Sequence, residues 1–343
     1  MSQQSAVSSQ QSAVSSQQSA VSSQQSAVSS QQRRSVYLDT VKGVAIFLVV
    51  FGHCIRYGGN FGLTYLIIYS FHMPLFALVS GYLFFPSVSG KNPASVFIKQ
   101  LRRLIMPVVS WTLIYWVILS VTTDLRGIMQ YAVYALWFLW AIFLCSLAVL
   151  AARKFFNDSV MFYAFVLFAL LFAPRLATAV FLYPYFVAGY LWHRENFDVK
   201  TKSLWEKHKI TITICLFLVW LFLFQFYTRD STVYDTKIYL LGGKMTAAEQ
   251  FRLDIYRWAI GWAGSLASMA LIKFMRPMKF LCVMGANTLG IYVISSIIDS
   301  FRITLSGLFT NFIQAVIITA ICCTLSIAIS RSKILNRFLL GGR

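Results

Sequence analysis

Ionisable side chains that can move protons or hold anions stand inside two long apolar stretches of the sequence. Asp39, Lys42 and His53 fall in the first stretch, and His72 falls in the second. Such groups are costly within a membrane, so they usually face a helix-bundle interior or a water-filled cavity. A neutral imidazole accepts a proton at neutral pH, and an ammonium group attracts anions. We therefore expect these residues to take part in a functional site.

The spacing of Lys42 and His53 places both on one face of the first predicted helix. Eleven residue steps of about 100° return to within about 20° of the starting face, with a rise of about 16 Å. Lys42 then lies near one membrane boundary and His53 toward the other. Asp39 precedes Lys42 by three residues and can pair with it. Taken singly, Lys42 also suits a boundary lysine, and His53 an interfacial residue.

Two further motifs add polar groups. His72 precedes a Met-Pro pair, and Ser80 follows in the same apolar stretch. Proline in a membrane helix frees backbone groups, so this motif marks a kink or a functional pocket. Arg102 and Arg103 precede the third apolar stretch, and arginine suits phosphate binding. Core packing is the alternative role for His72 and Ser80, and membrane anchoring is the alternative for the two arginines.

The composition of the chain explains why these residues stand out. Of 343 residues, 58% are hydrophobic and 12% are charged, which leaves too few polar side chains to cover a water-soluble globule. The 30 Lys and Arg against 11 Asp and Glu give a net charge of +19. This charge would suit nucleic acid, but the apolar content argues against that partner. Membrane proteins collect basic residues in cytoplasmic loops, and this explains the excess.

We predict an all-α polytopic integral membrane protein with about ten transmembrane helices. A bilayer core of about 30 Å needs roughly 20 apolar residues per helix. Ten segments are candidates, at residues 37–56, 62–85, 104–121, 131–151, 159–173, 176–192, 210–226, 255–272, 280–298 and 303–329. The fifth is short, and Pro174 before the sixth marks either a tight turn or a kink.

The loop charges predict that both termini lie in the cytoplasm. With the amino terminus inside, the inner segments carry 20 Lys and Arg and the outer loops carry 9. The loop at residues 227–254, with Arg257 just beyond it, holds most of the outer positive charge. This loop either contributes to an external acceptor site or is a solvated connector.

Residues 1–34 form a separate repetitive tail. The sequence SQQSAVS occurs four times without change between positions 2 and 29. One Val and one Ala per repeat are too few for a coiled coil, so we predict a disordered tail. A seven-nucleotide unit read in triplets encodes this repeat, and gain or loss of one unit shifts the reading frame. We therefore expect a phase-variable gene, with an ordinary duplicated linker as the alternative.

The motifs between residues 37 and 295 resemble the membrane-bound acyltransferase family 3, polytopic enzymes that O-acylate bacterial surface glycans. The resemblance rests on Asp39-x-x-Lys42-Gly43 followed by Gly52-His53, FHMPLFALVSGYLF at 71–84, RRLIMP at 102–107, LWFLWAIF at 136–143 and GANTLGIYVIS at 285–295. Members often carry a histidine three residues after the tyrosine of the last motif. This chain has Ser295 there, after Tyr292, so no role for that histidine carries over.

The resemblance implies a membrane O-acetyltransferase whose membrane domain covers residues 35–343, in the bacterial cytoplasmic (inner) membrane. The implied donor is acetyl-CoA, and no metal is expected. The implied acceptor is a hydroxyl of a surface glycan or lipid-linked glycan, such as the O-antigen of lipopolysaccharide or a capsule. Membrane lipids would be the other contacts.

The resemblance also implies roles for the candidate residues. His53 and Lys42 would be catalytic, with His53 as the general base or as the carrier of an acetyl group. Lys42, Arg102 and Arg103 would bind the donor's phosphates. Asp39, His72 and Ser80 would support the site or the acceptor.

A secondary transporter or flippase of a glycan-related substrate is the alternative from another functional class. Ten helices with buried His, Lys and Asp also suit transport. The sequence shows no convincing two-half repeat, and transport gives no reason for the ten-residue spacing between the lysine and the histidine.

Overall fold

The computed structural model describes residues 36–59, 61–119, 125–173, 176–232, 245–301, 305 and 307–342. These residues form helices joined by turns, and no strand occurs among them, so the predicted all-α class is confirmed for this part of the chain. The predicted disordered tail and the middle of the 227–254 loop lie outside the described residues.

Helices and short helical turns make up most of the described residues. In chain order they are α1 Val36–Tyr57, α2 Leu63–Val88, α3 Pro93–Gln100, a π-helical turn Leu101–Ile105, α4 Met106–Leu119, α5 Leu125–Gln130, a second π-helical turn Tyr131–Ala135, α6 Trp137–Phe155, α7 Val160–Leu170, α8 Ala177–Arg194, α9 Phe197–Lys200, α10 Lys202–Phe224, a 3₁₀ turn Arg229–Ser231, α11 Ala247–Ile272, α12 Lys279–Ala286, α13 Thr288–Ser300, α14 Leu308–Arg331 and α15 Lys333–Leu339.

Six described helical segments are long and apolar enough to cross a membrane. They are α1, α2, the continuous Pro93–Ile118 segment of α3 and α4, α6, α10 and α14. A seventh span results if α12 and α13, which meet at a bend of 77°, count as one. A helix lies in the described part of each of the ten predicted segments. The number ten is nevertheless not confirmed, because α7 has only 11 residues and α8 and α11 are not among the six.

The centre of the bundle is α2, which packs against α6, α8 and α11. Its contact with α8 is a direct approach of two backbones. A Cβ added to Gly81 would lie 1.8 Å from the Phe186 carbonyl oxygen, and one added to Gly189 would lie 2.0 Å from the Leu78 carbonyl oxygen. Small residues permit this close packing in membrane helices, where apolar burial alone does not drive association.

A second close approach joins α1 to α12. A Cβ on Gly43 would lie 2.1 Å from the Leu281 carbonyl oxygen, and one on Gly285 would lie 1.8 Å from the Asp39 carbonyl oxygen. This contact fixes the first turns of α1, which carry Asp39 and Lys42, beside the break between α12 and α13.

Candidate active site

One face of α1 carries the residues of the candidate site. Lys42, Ile46, Val49, His53 and Tyr57 recur at intervals of three or four residues, so their side chains form a single row, here called the α1 stripe. The first three line a large cavity, and Tyr57 lines a small pocket. His53 lies between them, one helical turn from Val49 and one from Tyr57.

The large cavity has a volume of about 330 Å³ and extends between α1, α2, α6 and the break before α13. Its lining includes the predicted site residues Lys42, Ser80 and Arg103. Apolar side chains such as Met73 and Phe138 line other parts of the wall. The cavity therefore combines an apolar surface with cationic groups, which suits an amphipathic ligand that carries negative charge.

Lys42 forms an ion pair with Asp39. Its Nζ lies 2.7 Å from Asp39 Oδ1, and both side chains are partly exposed, at 20% and 28%. The pair has no net charge. Lys42 therefore supplies the cavity with a hydrogen-bond donor and with little uncompensated positive charge. Arg103 is the second cationic side chain in the cavity lining.

The two arginines of the RRLIMP motif lie in the first π-helical turn, Leu101–Ile105. Such turns change the direction of side chains within a helix and are frequent at functional sites. Arg103 lines the large cavity together with Gln100, whereas Arg102 is not among the lining residues. The two arginines, which the sequence does not distinguish, therefore differ in whether they line the cavity.

Residues 332–342 close one side of the large cavity. Asn336 and Leu340 line it, and a Cβ on Gly341 would lie 2.6 Å from Arg103 Cα. Trp111 Nε1 donates a hydrogen bond of 2.8 Å to the Leu339 carbonyl oxygen, which holds this segment against α4.

His53 pairs with an acidic residue that is not among the predicted site residues. Its Nδ1 lies 2.5 Å from Oδ2 of Asp299, near the end of α13. The Asp299 side chain is 9% exposed and that of His53 is 25% exposed. A carboxylate can only accept a hydrogen bond, so the neutral imidazole carries its proton on Nδ1 and leaves Nε2 free to act as a base.

The sequence does contain a signal for Asp299. It lies in an apolar stretch, seven residues after Tyr292, and therefore on the same face of α13. Tyr292 lines the large cavity and donates a hydrogen bond of 2.9 Å to the Ala135 carbonyl oxygen in the second π-helical turn. Ser295, at the place of the expected histidine, is buried and donates within its own helix to the Tyr292 carbonyl oxygen.

His72 does not line the large cavity. It is buried in α2, and its Nδ1 donates a hydrogen bond of 2.7 Å to the Ile68 carbonyl oxygen. It lines a separate pocket that also includes Arg257 and Ser231. This position supports a packing role for His72 more than a direct role beside Lys42.

Arg257 ties the start of the 227–254 loop to α11. Its guanidinium is buried and donates to the carbonyl oxygens of Ser231 at 2.7 Å and Thr232 at 3.3 Å, and to Asp254 Oδ1 at 3.3 Å. This basic residue of the loop region is thus engaged in holding the backbone. Among the described residues, no group of three or more His, Cys, Asp or Glu is placed to hold a metal ion.

Comparison with known proteins identifies relatives of this chain. A family model described as an acyltransferase domain matches residues 35–331. The chain is similar to the nodulation protein NolL of Mesorhizobium japonicum, with 23% identity over 292 residues that cover 76% of this chain and 75% of the relative. It is also similar to the nodulation protein NolL of Sinorhizobium fredii, with 24% identity over 305 residues and 79% coverage of each chain. No solved structure matches.

Proposed function

The chain belongs to acyltransferase family 3, and from this premise we propose that it is a membrane O-acetyltransferase that transfers an acetyl group from cytosolic acetyl-CoA to a hydroxyl of a cell-surface glycan. The observation that carries the proposal is the α1 stripe, which places His53 between a large cavity and a small pocket. A transfer between two substrates that approach from opposite sides needs this arrangement.

The large cavity suits the donor. With both termini in the cytoplasm, Lys42 and Arg103 lie toward the cytoplasmic side, where acetyl-CoA is made. Sites of about 300–1,000 Å³ accommodate drug-sized molecules. The cavity of about 330 Å³ is at the low end of that range. It therefore takes the acetyl group and the thioester arm, while the phosphates stay at the mouth near Arg103 and Lys42.

The His53 and Asp299 pair suits general base catalysis. Nε2 of His53 takes the proton of the acceptor hydroxyl as its oxygen attacks the thioester carbonyl carbon. The carbon–oxygen bond forms, the carbon–sulfur bond breaks, and the imidazolium returns the proton to the CoA thiolate. Asp299 stabilises the transient imidazolium and holds the ring in the reactive tautomer.

The wider setting follows from the same proposal. The enzyme acts in the bacterial cytoplasmic membrane on a glycan such as an O-antigen, a capsule or a lipid-linked precursor. The perfect repeat at positions 2–29 makes its gene phase-variable, so that the modification switches on and off within a population. Sequencing the gene checks this point, because synonymous codons that differ between copies would contradict a slipping DNA repeat.

The test is acetyl transfer in membranes that contain the protein. Radiolabel from acetyl-CoA should appear in glycan with the unmodified protein and should be lost with His53→Ala, at equal amounts of protein in the membrane. His208→Ala is the matched control, since His208 lies at a kink near the start of α10. Transfer by His53→Ala at the unmodified rate would refute the role of His53 as the base.

A further inference from the structure

We propose that the large cavity limits the length of the acyl group that the protein transfers, and that Phe138 of the LWFLWAIF motif sets this limit. The proposal rests on the function proposed above and concerns the acyl part of its donor. It depends on five lining residues, here called the end wall: the last along α1 and α13, the first two along α2 and the first along α6. They are Val49, Tyr292, Met73, Phe76 and Phe138.

The contact between α1 and α2 places two members of the end wall at the same level of the bundle. A Cβ on Gly52 would lie 3.0 Å from a ring carbon of Tyr69. Val49 precedes Gly52 by three residues and Met73 follows Tyr69 by four. Because α1 and α2 form a hairpin, both residues lie about one turn from this contact on the same side. His53 directly follows Gly52, so the end wall lies about one helical turn from His53.

Three aromatic rings form the rest of the end wall. The ring centroid of Phe138 lies 5.7 Å from that of Phe76 and 6.0 Å from that of Tyr292, and both pairs are edge-on. Aromatic rings at these separations attract one another. Phe138 is thus the middle ring of a row that joins α2, α6 and α13.

Hydrogen bonds hold the Phe138 segment in place. The Tyr292 hydroxyl donates to the Ala135 carbonyl oxygen at 2.9 Å and accepts from the Phe138 backbone N–H at 3.4 Å. In the second π-helical turn, the Tyr131 hydroxyl lies 2.7 Å from Ser296 Oγ of α13. These bonds tie the start of α6 to α13 at two levels, so the backbone cannot readily yield to a longer ligand.

The end wall is the part of the cavity that an acyl group reaches. Lys42 lies seven residues from Val49, which is about 10 Å along α1. In the proposed binding mode the donor's phosphates stay near Lys42 and Arg103, and the acyl group is the opposite end of that molecule. The end wall is apolar apart from the Tyr292 hydroxyl, which is already paired, and this suits an alkyl group.

The length limit follows from the position of the reacting carbon. When a longer acyl chain meets the three rings, its carbonyl carbon is held back toward Lys42 and away from His53. A displacement of about 1 Å in an active site can lower the rate by about 10²-fold. The bonds that form and break are those of acetyl transfer, so only the placement of the carbonyl changes. The cavity therefore favours acetyl over longer acyl groups.

The experiment compares Phe138→Ala with Phe84→Ala. Phe84 also lines the large cavity, but it lies eight residues beyond Phe76 on α2 and thus about 12 Å further from the end wall. The donors are acetyl-CoA, propionyl-CoA and butyryl-CoA, and the acceptor is surface polysaccharide from a strain deleted for the gene. We expect the unmodified protein to use butyryl-CoA with a kcat/KM about 10²-fold below that for acetyl-CoA, mostly through kcat.

Phe138→Ala should reduce this preference at least about tenfold, since one methylene in an apolar pocket changes selectivity by about 10–200-fold. Phe84→Ala should leave the preference close to that of the unmodified protein. Phe138→Leu removes less volume and should shift the preference in the same direction, and it decides the question if the alanine variant does not accumulate in the membrane. An unchanged preference in the Phe138 variants, or an equal shift in Phe84→Ala, would overturn the proposal. A lack of transfer from every acyl-CoA by the unmodified protein would instead contradict the proposed function.

Discussion

Asp299 determines which nitrogen of His53 is free to accept a proton. Its carboxylate accepts from Nδ1, and this leaves Nε2 as the proposed base. Replacement by Asn puts an amide at the same place, and an amide can donate to Nδ1 and drive the proton to Nε2. The base would then be blocked without any loss of volume.

We therefore predict that Asp299→Asn lowers kcat for acetyl transfer by about 10²-fold, within the usual contribution of general acid–base catalysis. The KM for acetyl-CoA should change little, and Asp299→Glu should restore part of kcat. Steady-state kinetics in membranes measures both quantities. A loss that appears only in KM, with no rescue by Glu, would show a merely structural role.

The two neighbouring arginines give a second prediction. Arg103 lines the large cavity and Arg102 does not, although both lie in the same π-helical turn. Arg103→Ala should raise the KM for acetyl-CoA by about tenfold, because a hydrogen bond between charged groups is worth about 1.5–3 kcal/mol. Arg102→Ala should have a clearly smaller effect. Equal increases for both variants would place the phosphates outside the cavity mouth.

Periodicity predicted part of the site at this scale. It placed Lys42 and Asp39 together, and the structure pairs them at 2.7 Å. It did not predict the pairing of His53 with Asp299, which lies 246 residues further along the chain. Helical spacing informs only about neighbours on one helix, and the packing of α1 against α13 depends on contacts that no single segment encodes. His72 is the opposite case. A histidine is unusual in an apolar helix, but its side chain donates a hydrogen bond to a backbone carbonyl oxygen of its own turn.

Among the elements, the contact of α1 with α12 controls the shape of the large cavity. The first glycine of the GANTLGIYVIS motif, Gly285, lies so close to α1 that a Cβ would be 1.8 Å from the Asp39 carbonyl oxygen. Backbone atoms cannot move aside as a flexible side chain can, so the two helices have to separate.

Gly285→Ala should therefore destabilise the protein by about 1–3 kcal/mol, as overpacking does in other tightly packed sites. A lower Tm in detergent and a higher KM for acetyl-CoA are the expected measurements. Val283→Ala is the control, because Val283 is on the same helix with 43% of its surface exposed. Equal Tm values for the two variants would contradict this tight contact.

Hydropathy located the helices but not their shapes. It correctly marked apolar segments, yet a window of composition does not register a bend, so it missed the 77° break between α12 and α13 at Asn287. The same limitation applies to the π-helical turns, which differ from α-helix only in the backbone hydrogen-bond register. The break and the first π-helical turn line the cavity, since Asn287, Arg103 and Leu104 all contribute to its wall.

At the scale of the whole molecule, the region that the family model matches ends before the last residues that line the large cavity. The match ends at residue 331, whereas Asn336 and Leu340 complete the cavity wall. Residues 332–342 thus contribute to the cavity wall, and the membrane domain of residues 35–343 stays a prediction.

The α1 stripe also affects the permeability of the membrane. The large cavity ends near Val49 and the small pocket begins near Tyr57, so only about two helical turns around His53 separate them. One turn of an α-helix rises about 5.4 Å. If the two spaces open to opposite sides of the bilayer, these two helical turns form the permeability barrier, and the cell's entire transmembrane voltage falls across them. The residues proposed for acyl transfer must therefore also act as an electrical insulator.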